Sequence, residues 1–329
     1  MVARFLIKTA AAGLAAVLGM GAIGDVPARA ADRPEASVVM VEAHVPADAR
    51  SAATLGPMRR GSGIVIDKGG LILTIGYLVL EADRVQVADA TGREVPAEIV
   101  AYDHETGFGL LRAGGPLRAT PARLGSASVM AAGQPATAAA PGVVAPAIIV
   151  ARRSFAGGWE YLLEDALFTT PPIPNFGGAG LFDSEGRLVG IGSLIVGDTV
   201  GDGTGPPGNM FVPIDLLPPI LADLLAFGRA TAPAVPWLGL YPEPTRGVLM
   251  ISRVSPGGPA DRAGIVPGEV IVGLGEEPIG QLDTLWRRVR ALGPAGVDVP
   301  LRILSRGGVR DVTLKSRDRR DWLRLERTY

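Results

Sequence analysis

Short apolar runs separated by glycine and proline are the dominant pattern of this chain. Its 329 residues include 45 Gly and 28 Pro, and few stretches have the 3.6-residue periodicity of a long amphipathic helix. Runs of this kind, bounded by turn formers, are typical of strands. With 47% hydrophobic residues and a length that suits about two domains, the sequence predicts a mostly β protein built from barrels or sandwiches.

Charge and cysteine content exclude several functional classes. A net charge of −1 argues against a general nucleic-acid binder, because phosphate recognition needs a clustered basic surface. The chain contains no Cys, which excludes disulfides, a thiol nucleophile and a thiolate metal site. Arginines near the C-terminus alternate with Asp and Glu, so residues 319–329 are predicted to form a charged, solvated tail.

The first thirty residues have the features of a secretory signal. Arg4 and Lys8 are followed by an apolar segment over residues 9–24 and by the small-x-small sequence Ala28-Arg29-Ala30. No later stretch is apolar and long enough to span a bilayer. We therefore expect residues 1–30 to be removed and the mature protein to be soluble in the periplasm or outside the cell. An uncleaved N-terminal anchor is the alternative.

Alternating or continuous apolar runs predict the strands of the first domain. They are expected over residues 38–45, 60–67, 71–74, 84–88, 94–101, 109–112, 143–152 and 161–170, with two more around the turn Ser184-Glu185-Gly186 and a last one over 209–215. The later sequence predicts a helix over residues 216–227 and a Pro-containing linker over residues 231–236. Beyond the linker, the pattern predicts strands at 247–254 and 268–275, a helix at 282–292 and a closing hairpin over 300–315.

Three segments of the first domain resemble the HtrA (DegP-like) family of trypsin-like serine proteases, which carry a C-terminal PDZ domain. The segments are Gly61-Ser62-Gly63-Ile64-Val65-Ile66-Asp67 with Leu73-Thr74 and Ala82-Asp83, then Asp103 to Leu111, and then Phe176 to Phe182. The resemblance implies a trypsin-like double β-barrel over residues 38–230. A linker over 231–236, a PDZ domain over 237–318 and the charged tail would follow.

The catalytic positions implied by this resemblance lack catalytic side chains. Tyr77 stands where the family has its general base, Gly107 stands where it has the orienting Asp, and Gly177 stands at the nucleophile. A one-residue insertion would instead place Phe176 at the nucleophile. Because a Ser nucleophile depends on an imidazole that is oriented by a carboxylate, we expect a catalytically inactive protein.

The alternative is an active serine endopeptidase with a non-standard triad. His44 and His104 are the only histidines of the chain, and Ser62 or Ser184 would have to act with His104. The run Asp103-His104-Glu105 suggests metal ligands, but adjacent side chains seldom converge on one ion. No metal and no cofactor are therefore expected.

From Trp237 onward the chain resembles a PDZ domain of the HtrA type. The resemblance implies that the backbone N–H groups of Leu238, Gly239 and Leu240 capture the terminal carboxylate of a peptide. It also implies that the peptide lies beside the strand with Met250 and Ser252 and against the Leu285 and Val289 side of the helix. The expected partners are peptide C-termini or unfolded envelope proteins.

Two alternatives remain open for the second domain and its assembly. A PDZ-like module could pack on the barrel and bind no ligand at all. The protein could also form a homo-oligomer, or a hetero-oligomer with an active homologue. The function that we expect for the inactive protein is that of a peptide-binding scaffold or a regulator in protein quality control of the cell envelope.

Overall fold

The computed structural model describes residues 33–325, so the signal segment 1–30 and the last four residues lie outside the described part of the chain. The first domain begins with a closed barrel of six antiparallel strands in the order β1-β2-β3-β6-β5-β4. Its strands are β1 (Val38–His44), β2 (Met58–Val65), β3 (Leu71–Ile75), β4 (Arg84–Ala88), β5 (Glu94–Tyr102) and β6 (Phe108–Ala113), with a short helix α1 (Ala52–Leu55) between β1 and β2. Strand β3 is buried throughout because its run is continuously apolar apart from Thr74.

Seven further strands form the second barrel of this domain. They are β7 (Arg123–Leu124), β8 (Pro135–Ala140), β9 (Val143–Gly157), β10 (Tyr161–Thr170), β11 (Gly180–Phe182), β12 (Arg187–Val196) and β13 (Gly208–Pro213). Their order is β11-β8-β9-β10-β13-β12-β7, and β11 also pairs with β12, which closes the sheet on itself. The double barrel agrees with the mostly β fold predicted from the sequence.

The β9–β10 hairpin extends beyond the second barrel. Strand β8 pairs with β9 only as far as Ile148, and β13 pairs with β10 only over Leu167 to Thr169. Residues 153–166, which we call the arm, therefore pair only with each other as a two-stranded ribbon. A ribbon of this kind needs further packing to be stable in water. The arm finds it on the core of the first domain, through Tyr161 and Leu163, and on the second domain, through Leu162.

The second domain follows helix α2 (Pro218–Phe227), which ends at Gly228 in the left-handed conformation. It contains β14 (Leu240–Thr245), β15 (Val248–Val254), α3 (Pro259–Arg262), β16 (Val270–Leu274), β17 (Glu277–Pro278), α4 (Leu282–Ala291), β18 (Asp298–Ser305) and β19 (Gly308–Lys315). The sheet order is β14-β15-β16-β18-β19, with β17 beside β16. Helix α4 buries Leu282, Leu285, Trp286 and Val289, whose spacing places them on one face.

The sequence analysis missed two well-paired strands, β8 and β14. Strand β8 reads Pro-Ala-Thr-Ala-Ala-Ala, which has neither β-branched nor aromatic enrichment apart from one Thr. Strand β14 contains Pro242 and Pro244, and proline is confined to sheet edges because it cannot donate to a ladder. Two prolines at alternate positions are therefore a signal for an edge strand, and β14 does lie at the edge of its sheet.

The prediction of a solvated C-terminal tail is wrong for residues 319–325. Trp322 and Leu323 are each only 8% exposed, and the rings of Trp322 and Trp237 are 5.0 Å apart. The Trp322 indole N–H donates to the carbonyl of Pro256, and the backbone N–H of Arg324 donates to the Glu81 carboxylate of the first barrel. The prediction considered the charges and overlooked two large apolar side chains among them. Within residues 33–325, no helix has the length and hydropathy needed to cross a membrane.

Candidate functional site

The three catalytic positions implied by the sequence come together at the junction of the two barrels. Tyr77 follows the end of β3, and the N–H of the preceding Gly76 donates to the Gly107 carbonyl at 2.7 Å. Gly177 lies in the loop before β11, where a Cβ atom would be 2.7 Å from the Tyr77 hydroxyl oxygen. The fold thus brings the positions together, although none of them carries a catalytic side chain.

Tyr77 occupies the space into which a nucleophile side chain would project. Its hydroxyl donates to the Ser193 carbonyl at 3.0 Å, and burial raises the pKa of the phenol far above its ordinary value. A neutral phenol whose proton is already donated to a carbonyl is a poor general base. The 2.7 Å distance favours Gly177 over Phe176 as the nucleophile position, since Phe176 packs against the core of the second barrel.

Both the backbone conformation and the neighbouring side chains disfavour an orienting carboxylate at Gly107. Its φ of +82° lies in the left-handed region, and a Cβ atom there would be 3.3 Å from the Tyr161 hydroxyl. That hydroxyl donates to the Thr106 carbonyl at 2.8 Å, so the first residue of β10 fills the space beside Gly107. Sequence reasoning did not identify this role of Tyr161, because Tyr161 is distant from Gly107 in the chain.

The residues of the alternative triad are separated in the structure. The His104 ring bonds to the Tyr102 hydroxyl at 2.9 Å and to the Arg319 guanidinium at 2.8 Å, and burial holds its pKa well below the ordinary value. Ser62 is fully buried, and among the described residues its hydroxyl has no hydrogen-bond partner. Ser184 is exposed in a turn. No hydrogen bond within residues 33–325 joins His104 to either serine.

The run Asp103-His104-Glu105 serves the local turn and the domain junction. The Asp103 carboxylate accepts from the Thr106 N–H and hydroxyl, which is an Asx-type turn. His104 points to Arg319 instead. Within the described part of the chain, no group of three His, Asp or Glu side chains is placed to hold a metal ion.

Three backbone N–H groups at the start of the second domain converge on one carboxylate. Those of Leu238, Gly239 and Leu240 donate to the Glu160 side chain at 2.8, 2.6 and 2.8 Å. Gly239 has a φ of +79°, which directs consecutive donors to one side. This loop, residues 238–240, therefore has the geometry of an anion receptor, and its occupant is the tip of the arm.

Glu160 is an unusual residue for the end of a hairpin. It is only 6% exposed and has a φ of +65°, which is uncommon for a non-glycine residue. Burial raises its pKa to about 7, although the N–H groups of the loop and the Arg319 charge act in the opposite direction. The sequence contains no local signal for this contact, because a charged residue in a hairpin turn is ordinarily solvated.

Comparisons with known proteins identify both domains. The family model of the trypsin-like peptidase domain matches residues 61–191, and that of the PDZ domain matches residues 250–304. The serine endoprotease DegS of Salmonella typhimurium is 30% identical over 250 residues, which cover 68% of each chain. The chain belongs to the HtrA family. The serine protease PepD of Mycobacterium tuberculosis is likewise 30% identical over 292 residues, which cover 80% of this HtrA chain.

Solved structures show the same fold. The HtrA-type protease AlgW with tripeptide matches with a TM-score of 0.52 and 21% identity, over 88% of this chain and 95% of that one. This chain covers less than two thirds of the length of these two curated relatives, since the alignments span 62% of PepD and 65% of the DegS of Haemophilus influenzae. These relatives are named as proteases, whereas Tyr77, Gly107 and Gly177 stand at the positions that the sequence resemblance implies for catalysis in this HtrA chain.

The structure corrects the expected position of a peptide in the PDZ domain. Strand β15, which carries Met250 and Ser252, pairs with β14 along its whole length and with β16 on its other side. The Ser252 hydroxyl donates to the Tyr241 carbonyl of β14. Met250 is thus paired on both sides and Ser252 faces β14, so the expectation of a peptide strand added beside Met250 was wrong. The open edge belongs to β14, which directly follows the carboxylate loop.

The open edge of β14 is poor in hydrogen-bond donors. The Leu240 N–H points to Glu160, and residues at i+2 and i+4 in a strand face the same edge. Those residues are Pro242 and Pro244, which have no N–H. A Cβ atom built at Gly158 would lie 2.6 Å from the Pro242 carbonyl oxygen, so the acceptors of this edge face the arm.

Leu285 and Val289 lie where the sequence analysis expected them, on α4. Both are buried, and both belong to the apolar cluster that forms the core of the PDZ domain. That cluster also includes Leu162 of the arm, which is 3% exposed. A pocket for a peptide side chain at Leu285 and Val289 stays a prediction, since an element of the first domain now covers the cluster.

Proposed function

We propose that this HtrA protein has no proteolytic activity and acts as a peptide-binding scaffold or regulator in protein quality control of the cell envelope. One observation carries the first half of the proposal: the Tyr77 hydroxyl lies 2.7 Å from the place of a Cβ atom at Gly177. No nucleophile is present at that position, and the space that its side chain and the general base would share is filled.

The chemistry of serine proteolysis supports the same conclusion. A serine hydroxyl attacks a carbonyl only when an imidazole accepts its proton, and the imidazole needs a carboxylate to hold its tautomer. Removal of these residues from a well-studied enzyme of this type lowers turnover about a millionfold. Tyr77, Gly107 and Gly177 supply none of the three functions, and Tyr161 fills the space beside Gly107.

Peptide recognition is supported by the loop of residues 238–240. Its three N–H groups bind a carboxylate in the manner that a peptide C-terminus would require. Structures of AlgW are described with a tripeptide and with a decapeptide. The signal-like N-terminus and relatives named as periplasmic endoproteases support a periplasmic location. The partners that fit are peptide C-termini or unfolded envelope proteins, and an oligomer with an active homologue would suit a regulator.

The absence of proteolysis can be tested with the purified mature chain. It would be incubated with casein and, separately, with a fluorophosphonate probe, beside an active HtrA protease as positive control. We expect intact casein and no labelling. Stoichiometric labelling that is abolished by heat would contradict the proposal, and mapping the labelled residue would show whether Ser62, Ser184 or another serine is the nucleophile.

A further inference from the structure

The arm presents to the PDZ domain both chemical features of a peptide C-terminus. Glu160 supplies a carboxylate to the loop of residues 238–240, and Leu162, two residues later, supplies an aliphatic side chain to the apolar cluster. Glu160 lies in the turn and Leu162 in β10, and both side chains contact the PDZ domain. Leu162 is the only fully buried member of that cluster, within the described residues, that comes from the first domain.

Several further contacts hold the arm on the PDZ domain. The Trp286 indole N–H of α4 donates to the Gly157 carbonyl at 3.0 Å, and the Arg287 guanidinium donates to both oxygens of Glu164. The Trp159 carbonyl accepts from Arg319. These contacts lie on α4 and the C-terminal segment, so the arm is held from the sides of the groove as well as from the carboxylate loop.

Because the edge of β14 has few hydrogen-bond donors, binding there depends mainly on two groups, the Glu160 carboxylate and the Leu162 side chain. A peptide beside β14 finds acceptors at the Pro242 and Pro244 carbonyls but only one donor, at Leu240. The ladder that usually adds affinity in strand addition is therefore incomplete. Recognition depends instead on a carboxylate and an apolar side chain, and the arm already supplies both of them.

We propose that the arm is a built-in ligand of the PDZ domain, in which Glu160 replaces the terminal carboxylate of a peptide and Leu162 replaces its last side chain. The groove is closed to external C-termini while the arm is bound, and a peptide binds by displacing it. This proposal rests on the peptide-binding function proposed above. Tyr161 lies between Glu160 and Leu162, and its hydroxyl donates to the Thr106 carbonyl in the turn that contains Gly107. Displacement of the arm would therefore also break a contact beside Gly107.

The first experiment compares peptide binding by the mature wild-type chain and its Glu160→Ala variant. The probe is a library of hexapeptides with free C-termini, together with the same peptides as C-terminal amides. The control variant is Asp165→Ala, which removes an exposed carboxylate from the same arm, where it pairs with Arg152. We expect Glu160→Ala to bind the free-carboxylate peptides about tenfold more tightly, since an occupied site lowers apparent affinity by its closed fraction. Asp165→Ala should bind the peptides as the wild type does, and the C-terminal amides should show no increase in affinity for Glu160→Ala.

The second experiment measures amide hydrogen exchange at residues 238–240, which needs no peptide. Protection should be strong in the wild type and in Asp165→Ala, and it should fall at least tenfold in Glu160→Ala. In the isosteric Glu160→Gln the fall should be largest at Leu238, because its N–H then faces an amide NH₂ group, whereas the amide oxygen still accepts from Gly239 and Leu240. The Gln variant keeps the size of the side chain, so a loss of protection in this variant cannot be attributed to a cavity that disturbs the fold.

The two experiments distinguish the possible failures. Equal peptide affinity in the wild type and Glu160→Ala, or unchanged protection of residues 238–240, would overturn the built-in ligand. Reduced protection without peptide binding by any variant would uphold the arm as the group that closes the loop, and would reject peptide recognition as the function.

Discussion

At the scale of single residues, the contacts around Tyr77, Gly107 and Gly177 depend on the two glycines having no side chain. Tyr77 fits because Gly177 has no side chain, and Gly107 tolerates the neighbouring Tyr161 for the same reason. Each aromatic residue satisfies its hydroxyl with a backbone carbonyl, of Ser193 and of Thr106. These residues therefore form a packed and hydrogen-bonded cluster, and a side chain added at Gly177 alone would disrupt it.

Gly177→Ala should destabilise the protein by about 1–3 kcal/mol, the usual effect of overpacking a well-packed site. The close atom is the Tyr77 hydroxyl, so Tyr77→Phe should recover part of this loss in the double variant. Urea unfolding of the wild type, both single variants and the double variant gives the interaction free energy between the two positions. Gly197→Ala is the control, because a Cβ atom there meets no neighbour within 4 Å. Equal effects of Gly177→Ala and Gly197→Ala would refute the steric argument.

Glu160 and His104 should give stability opposite dependences on pH. The pKa of Glu160 is raised from 4.5 to about 7, so its contribution is present below pH 4.5 and is lost as the pH rises through 7. The pKa of His104 is lowered by burial beside Arg319, so its contribution is present above pH 6.5 and is lost on acidification.

Thermal unfolding of the wild type and Glu160→Gln between pH 4.5 and 7.5 isolates the Glu160 contribution, because His104 is common to both. We expect the melting temperature of the wild type to fall relative to Glu160→Gln as the pH rises. Asp165→Asn serves as the exposed control on the same arm. A difference that is constant with pH would show that burial does not shift the Glu160 pKa.

At the scale of elements, β14 and the arm have complementary defects. Strand β14 is an open edge whose prolines remove donors, and the arm is a two-stranded ribbon that lacks a third partner. Prolines protect an edge against unwanted strand pairing. Because they also remove backbone donors here, specificity depends on side-chain contacts and on the loop of residues 238–240. The arm covers this edge without adding a regular strand to the sheet.

Replacing Pro242 and Pro244 by alanine should change the dependence of binding on peptide length. In the Glu160→Ala background, two new N–H donors face a bound peptide, each worth about 0.5–1.5 kcal/mol. Hexapeptides should therefore gain affinity, whereas dipeptides, which reach only the carboxylate loop and the side-chain pocket, should gain little. Titration calorimetry with both lengths measures the gain. An equal gain for both lengths would exclude added strand pairing as its source.

At the scale of the whole molecule, the two domains are joined by more than the linker. The arm, the loop of residues 238–240 and the C-terminal segment form one interface, in which Trp237 and Trp322 are in ring contact. Arg324 and Arg50 extend it to the first barrel and to Pro256. This interface fixes the orientation of the PDZ domain relative to the first domain.

Trp322→Ala should weaken this interface by about 3 kcal/mol, as expected for loss of a large buried aromatic side chain. We expect faster cleavage within residues 229–236 in limited proteolysis and a lower urea midpoint. Val309→Ala, at a side chain that is 55% exposed, should leave both measurements nearly unchanged. Wild-type cleavage rates in Trp322→Ala would mean that the C-terminal segment does not hold the domains together.

The sequence by itself determined the features that depend on local pattern. Apolar runs between turn formers predicted the mostly β fold, and most strand bounds lie within a few residues of those observed, as at Arg84–Ala88 and Tyr161–Thr170. Motif spacing also located the loop of Leu238, Gly239 and Leu240, because this feature lies within a short segment, and the vacant catalytic positions stay a prediction from the same kind of pattern.

Only the tertiary structure decided what occupies those sites. Glu160 precedes its three N–H donors by 78 to 80 residues, and Tyr77 precedes Ser193 by 116, so no periodicity links the partners. The same reason explains the errors: Met250 and Ser252 were placed beside a peptide because strand order is set by pairing between distant segments. Trp322 looked like part of a charged tail because burial depends on the surface that the fold brings to it.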